Sequence, residues 1–246
     1  MSPEPGATSA TLVPSAQAAL GSLADRVERS AGTGAPDTRG AGAPPRRADR
    51  VLVGIAGSPG SGKTTLAIAL VDELNRRRPG SAVHLPMDGF HLANSTLDRL
   101  GRHDRKGAID TFDGWGFVAL LDRIRTERGH TVYAPSFHRV VDEGVAGEIA
   151  IEDTIRYVVV EGNYLLADVE PWDGVRERLD AAWFCATPED ERIVRLVDRH
   201  TRHGRTPEAA LAWAREVDGA NALLIEASRV NAELVVSGER LEVLEG

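Results

Sequence analysis

From Val51 onward the chain alternates two textures. Short runs of aliphatic and β-branched residues, nearly free of charge, are separated by longer stretches in which apolar residues recur every three or four positions. Runs of the first kind suit strands buried on both faces, and stretches of the second kind suit amphipathic helices laid over them. VLVGIA (51–56), AVHLPMD (82–88), YVVVEG (157–162), AAWFCA (181–186) and AELVV (232–236) are the predicted strands. Lys63–Arg77 repeats Leu66, Leu70 and Leu74 every fourth position, with Ala67 and Val71 beside them, and Pro79-Gly80 stops the helix. The alternation predicts an α/β sandwich with parallel central strands.

Upstream of Val51 the texture changes. Residues 1–48 read as a low-complexity N-terminal extension, and 49–246 as the main domain. Gly32–Pro45 is too poor in apolar surface to offset its ordering entropy and reads as a linker. Ala16–Ser30 places Ala19, Leu20, Leu23 and Val27 at helical spacing. A short docked helix and a disordered tail both satisfy that stretch.

Composition narrows the partners. In 246 residues, 29 basic side chains stand against 37 acidic ones, a net charge of −8 and a pI near 5.4. That balance argues against a broad nucleic-acid footprint and favours small molecules. The lone Cys185 permits neither an internal disulfide nor a cysteine-rich metal site, in keeping with a reducing cytosol. No apolar run approaches the ~20 residues of a membrane span, and the first residues lack a signal-peptide pattern. The expectation is a cytoplasmic protein with no membrane or nucleic-acid partner. A homodimer is compatible with the chain.

The chemistry begins at Gly57–Thr64, GSPGSGKT, which has the spacing G-x-x-x-x-G-K-T between a predicted strand and a predicted helix. In that context Gly57, Ser58, Pro59, Gly60, Ser61 and Gly62 form a loop whose N–H groups cradle nucleotide phosphates. Lys63 reaches the β- and γ-phosphates, the Thr64 hydroxyl ligates Mg²⁺, and Thr65 touches the α-phosphate. The competing account is a glycine-rich turn with a chance lysine. Glu161 closes the apolar run 157–160 at the strand end where ligands gather in parallel sheets. It suits a metal ligand, through water or directly, or else a helix cap. Asp88 ends HLPMD in the same manner; a general base and a turn-forming Asp before Gly89 are both open.

Thr187-Pro188-Glu189-Asp190 reads as a helix start with a capping hydroxyl. In the helix over 191–205, Ile193, Leu196 and Val197 take one side and Arg195, Arg199 and Arg202 the other. Such a stripe is a lid that neutralises a transferring phosphoryl group, with Gly204 as its hinge, or a solvated surface. Arg199 and Arg202 rank ahead of Arg195 and Arg205. The four tryptophans read as packing groups, since none sits in a basic setting.

MDGFHLANSTLDRLGRHDRKGAIDTFD (87–113), with IAGSPGSGKTT before it and VVVEGNYLL after it, resembles the P-loop small-molecule kinases of the type I pantothenate kinase, uridine kinase and phosphoribulokinase group. The similarity spans about Val51 to Val236. It implies the three-layer P-loop NTPase fold, a mainly parallel sheet with a helical, Arg-bearing lid. It implies an ATP- and Mg²⁺-dependent kinase that phosphorylates a hydroxyl of a nucleoside, pantothenate-like or sugar acceptor. Asp88 is then the general base, Lys63, Arg199 and Arg202 act on the transferring group, and His91, Asn94, Arg105 and Lys106 border the acceptor. The chain departs from the family at Ala134–Arg139, where His138 stands in place of a usual Asp. His138 and Arg139 contact the acceptor, or His138 is an exposed loop residue. Asn221 reaches the acceptor or caps a helix. A nucleotide-dependent regulatory ATPase without a small-molecule acceptor is the alternative.

Overall fold

The computed structural model describes residues 14–30 and 50–244. The linker expected at 32–45 lies outside the described residues. The chain runs α1 (Pro14–Ser30), β1 (Val51–Ala56), α2 (Lys63–Arg77), β2 (Ala82–Pro86), α3 (Asn94–Leu100), α4 (Gly114–Thr126), β3 (Val132–His138), β4 (Glu143–Ile151), β5 (Tyr157–Gly162), α5 (Asp173–Arg176), β6 (Ala181–Ala186), α6 (Glu189–Arg202), α7 (Pro207–Ala227) and β7 (Leu234–Ser237).

The central sheet is five-stranded, in the order β2-β5-β1-β6-β7, and every pairing in it is parallel. Val51 stands opposite Tyr157 and Val53 opposite Ala181, so β1 has neighbours on both sides. Its side chains alternate between two cores. Leu52 and Ala56 join Val158, Val160, Phe117 and Phe184 on one face. Val51, Val53 and Ile55 join Val159, Leu66, Leu70 and Leu74 on the other. With both faces covered, a strand needs apolar side chains at every position, which is why these runs carry no polar alternation.

Helix α1 lies over α2 and buries Leu20, Leu23, Ala24 and Val27. Arg77 of α2 fixes it: the guanidinium donates to Asp25 at 2.7 Å, Glu28 at 2.8 Å and the Gly21 carbonyl at 2.9 Å. Among the described residues no helix is long and apolar enough to cross a membrane.

Four local expectations are corrected. Ala134–His138 is not loop but part of β3, which pairs antiparallel with β4 as a separate hairpin, with a register shift between Ala134 and Ser136. The second strand stops at Pro86, and Met87–Phe90 coil into a 3-10 turn, so Asp88 sits just past the strand end. Thr187 does not cap α6. Its hydroxyl donates to Ser61 O at 2.8 Å, and α6 begins after Pro188 without a side-chain cap. The sidedness of α6 is also different: Arg192 and Leu196 are its buried positions, while Val194 is exposed and Ile193 and Val197 are half-buried.

Candidate active site

Parallel strands deliver their carboxyl ends to one edge. There the segment 57–62 follows β1, Asp88 follows β2, Glu161 closes β5 and Thr187 follows β6. Glycine is required at Gly60 and Gly62 by their backbone conformation. Gly60 and Gly62 have φ of 78° and 92°, and a Cβ on Gly62 would lie 2.6 Å from Gly238 O. Gly62 is also the N-cap of α2 and supplies no side-chain cap, which leaves the first-turn N–H groups open to an anion.

Three of the loop's carbonyls are held by donors from later elements. Arg192 donates to Pro59 O at 3.4 Å, Arg195 to Gly60 O at 3.4 Å, and Thr187 Oγ1 and Cys185 Sγ to Ser61 O at 2.8 and 3.2 Å. Oxygens pinned from outside turn the N–H side of the loop inward. Burial raises the Cys185 thiol to about 11, so it is a neutral packing group beneath the loop.

Lys63 Nζ lies 3.6 Å from Glu161 Oε1, with side chains 12% and 6% exposed. Burial pushes Glu161 towards protonation, but the His84 imidazole and the Lys63 ammonium outweigh it and hold the carboxyl below its usual range. His84 Nε2 is 3.6 Å from Glu161 Oε2, beyond the length of a direct hydrogen bond. Thr64 and Glu161 line one cleft. A hydroxyl and an ionised carboxylate are hard oxygen donors suited to Mg²⁺. Among the described residues no group of three or more His, Cys, Asp or Glu can hold a metal. A Mg²⁺ here would be held by Thr64 and Glu161, which would supply two hard oxygen donors.

The cleft encloses about 430 Å³ and continues from Lys63 and Thr64 to Asp88, His91 and Arg199. Asp88 is held beside the hairpin: a Cβ on Gly89 would meet Pro135 O at 2.3 Å, so glycine is needed there for close approach of the β3 backbone rather than for a turn. His91 donates from Nδ1 to Asp88 O at 2.7 Å and lies between Phe112 and Phe137, with ring centroids 4.0 and 4.7 Å away. Burial lowers its pKa against the pull of the Asp88 charge, keeping the ring neutral.

Lys106 lines the cleft, but its ammonium is engaged: it donates to Asn94 Oδ1 at 2.6 Å, to Asp142 Oδ2 at 2.8 Å and to the Asp142 carbonyl. With the Asn94 N–H on Glu143 at 2.9 Å, it latches the hairpin turn to α3. Asn94 itself is outside the cleft lining. So is Arg105, paired with Asp110 at 2.7 Å, and so is the exposed His138, paired with Glu148 at 2.7 Å. Arg139 lines the cleft with Nη2 3.9 Å from Asp88 Oδ2, and Asn221 lines it while donating to Gly107 O at 3.4 Å.

Arg199 faces the cleft, one turn beyond Leu196. Burial, and then the nearby Arg139 guanidinium, lower its pKa, while Asp218, Asp88 and Glu161 oppose them. It stays charged, as arginine does. Arg202 turns away, exposed and paired with Asp198 outside the cleft. Gly204, with φ 95°, ends α6 by donating to Thr201 O.

Several cleft residues escaped the sequence. Asn163 follows Glu161 by two positions. His200 donates to Asp218 at 2.8 Å across α6 and α7. Trp213 lies under Arg205, 3.9 Å from the ring centroid, so one tryptophan does sit in a basic setting. Trp115 is 64% exposed rather than packed. Arg192 carried a signal, being seven positions before Arg199 and so on the same helical face.

The chain is similar to proteins named as kinases. The family described as Zeta toxin matches residues 37–105. A Schizosaccharomyces pombe protein named "putative uridine kinase" is 32% identical over 79% of this chain and 86% of its own length. An ATP-dependent kinase-like protein of Aspergillus versicolor is 35% identical over 64% of this chain and 96% of its own. A crystal structure from Silicibacter, called "putative fructose transport system kinase", superposes with a TM-score of 0.75 at 36% identity, over 88% of this chain and 98% of that one.

Proposed function

This chain belongs to the P-loop kinases, ATP-dependent phosphotransferases that act on a hydroxyl, and from that premise we propose that it moves the γ-phosphoryl group of ATP to a hydroxyl of a small metabolite. Lys63 and the N–H groups of Gly60, Gly62, Lys63, Thr64 and Thr65 hold the phosphates. The Thr64 hydroxyl and Glu161 hold Mg²⁺, which neutralises phosphate charge when bound. Asp88 takes the proton as the acceptor oxygen bonds to the γ-phosphorus and the bond to the ADP oxygen breaks. Arg199 meets the charge spread over the group in transit.

The observation that carries this reading is the state of the cleft carboxylates. Glu161 pairs with Lys63, Asp142 with Lys106 at 2.8 Å and Asp218 with His200 at 2.8 Å, whereas the nearest cationic partner of Asp88 is Arg139 at 3.9 Å. Asp88 is the carboxylate left to accept a proton, beside the neutral His91. The resemblance of 87–113 favours a pantothenate-like acceptor, and the relatives' names add uridine and fructose to the candidates. The test is ADP release with Mg·ATP and a panel of nucleosides, hydroxy acids including pantothenate, and sugars. One acceptor class should raise the rate well above the acceptor-free rate. Release that is indifferent to every acceptor would instead mark a regulatory ATPase.

A further inference from the structure

The loop is pinned by its oxygens at Pro59, Gly60 and Ser61, but its anchor at Ser58 is of another kind. The Ser58 side chain is wholly buried, and its hydroxyl donates to Glu226 Oε1 at 2.6 Å. That length is typical of a hydroxyl bonded to a charged carboxylate. Ser58 lies two residues past the end of β1, and its carbonyl accepts the Ser61 N–H at 3.0 Å, so its position fixes the turn that follows.

Glu226 comes from the last turn of α7 and is not part of the cleft lining. The helix that delivers it is fixed elsewhere: Asp218 receives the His200 imidazole, Asn221 donates to Gly107 O, and Ala214, Ala222 and Ile225 are buried. The carboxylate therefore arrives on a helix that has anchors besides Ser58.

We propose that Glu226 is a positioning residue for nucleotide binding, acting through Ser58 to keep the N–H groups of the loop oriented for phosphate. Without it, the Ser58 hydroxyl is a buried donor with no acceptor, and the loop gains conformations that phosphate must then select against. The inference rests on the nucleotide-binding half of the proposed function.

Calorimetric titration with Mg·ADP tests it on the full chain, using Glu226→Ala, Glu226→Gln, Ser58→Ala and the Ser58→Ala/Glu226→Ala pair. Loss of one such bond to a charged group predicts affinity about tenfold weaker in Glu226→Ala and in Ser58→Ala. Glu226→Gln keeps an acceptor oxygen and should stay within about threefold of the wild type. The double variant should be no weaker than the single ones, because both remove the same bond. Thermal unfolding without nucleotide identifies any variant that fails to fold; should Glu226→Ala fail, Ser58→Ala against Glu226→Gln still decides. Wild-type affinity in Glu226→Ala, losses that add in the double variant, or a glutamine variant as weak as alanine would each overturn the proposal. A wild-type chain that does not bind Mg·ADP would instead overturn the proposed function.

Discussion

Asp88 and Lys106 lie in one cleft, and their surroundings assign them opposite kinds of work. Lys106 has spent its ammonium on Asn94 and Asp142, whereas the Asp88 carboxylate is only loosely faced by Arg139. Replacing Asp88 by Asn keeps size and polarity and removes proton acceptance. With the acceptor that the panel yields, turnover should fall by ~10²–10⁴ while Mg·ADP affinity stays nearly unchanged. Turnover near the wild-type value would remove Asp88 from the mechanism. At this scale the sequence was informative about place at the carboxyl edge of the sheet, where Glu161 stands near the end of β5 and Asp88 just past the end of β2. It was less informative for Asn94, Arg105, Lys106 and Arg202. Spacing brings such residues near a cleft but does not say which atoms are already engaged, and the partner of Lys106 lies on a hairpin turn 36 positions away.

Elements differ in how openly the sequence announces them. The inner strands β1, β5 and β6 are buried at all or nearly all positions, so their composition alone marks them, and α2 shows its core stripe every fourth residue. The β3–β4 hairpin has neither mark. Most of β4 is exposed, Pro135 and a register shift break any alternation in β3, and the hairpin stands apart from the main sheet. In α6 the misleading feature was Arg192: a buried arginine serving a loop carbonyl looks, in sequence, like a solvent-facing charge. The α1–α2 contact gives an element-scale prediction. Hydrogen bonds from Arg76 and then Arg77 hold Glu73 at a pKa of about 2, against an ordinary 4.5. A depressed folded pKa stabilises fully above the unfolded value and loses that effect as pH falls through the folded one. Glu73→Gln should thus unfold a few °C lower than wild type at pH 7. The gap should narrow between about pH 4.5 and pH 2, where the carboxyl protonates. A gap independent of pH in thermal scans would mean that Glu73 acts by packing and not by charge.

For the whole molecule, the site is a meeting point of β1, β2, β5 and β6 with α6 and α7, so a ligand bound there engages both halves of the sheet. Mg·ADP at a hundredfold excess over its dissociation constant should stabilise the fold by about 2.7 kcal/mol, a rise of roughly 5–11 °C for a domain of this size. The same rise with chelator present would count against Thr64 and Glu161 as Mg²⁺ ligands. The phosphate loop has a further consequence for how such a site is inherited. Its defining motif occupies eight consecutive residues, yet the donors on its carbonyls lie 124 to 135 positions downstream, at Cys185, Thr187, Arg192 and Arg195. A graft of Gly57–Thr64 into a foreign strand–helix unit would carry over the recognition pattern and leave the moulding behind. Drift at those four distant positions can likewise disable the site while every letter of the motif is intact.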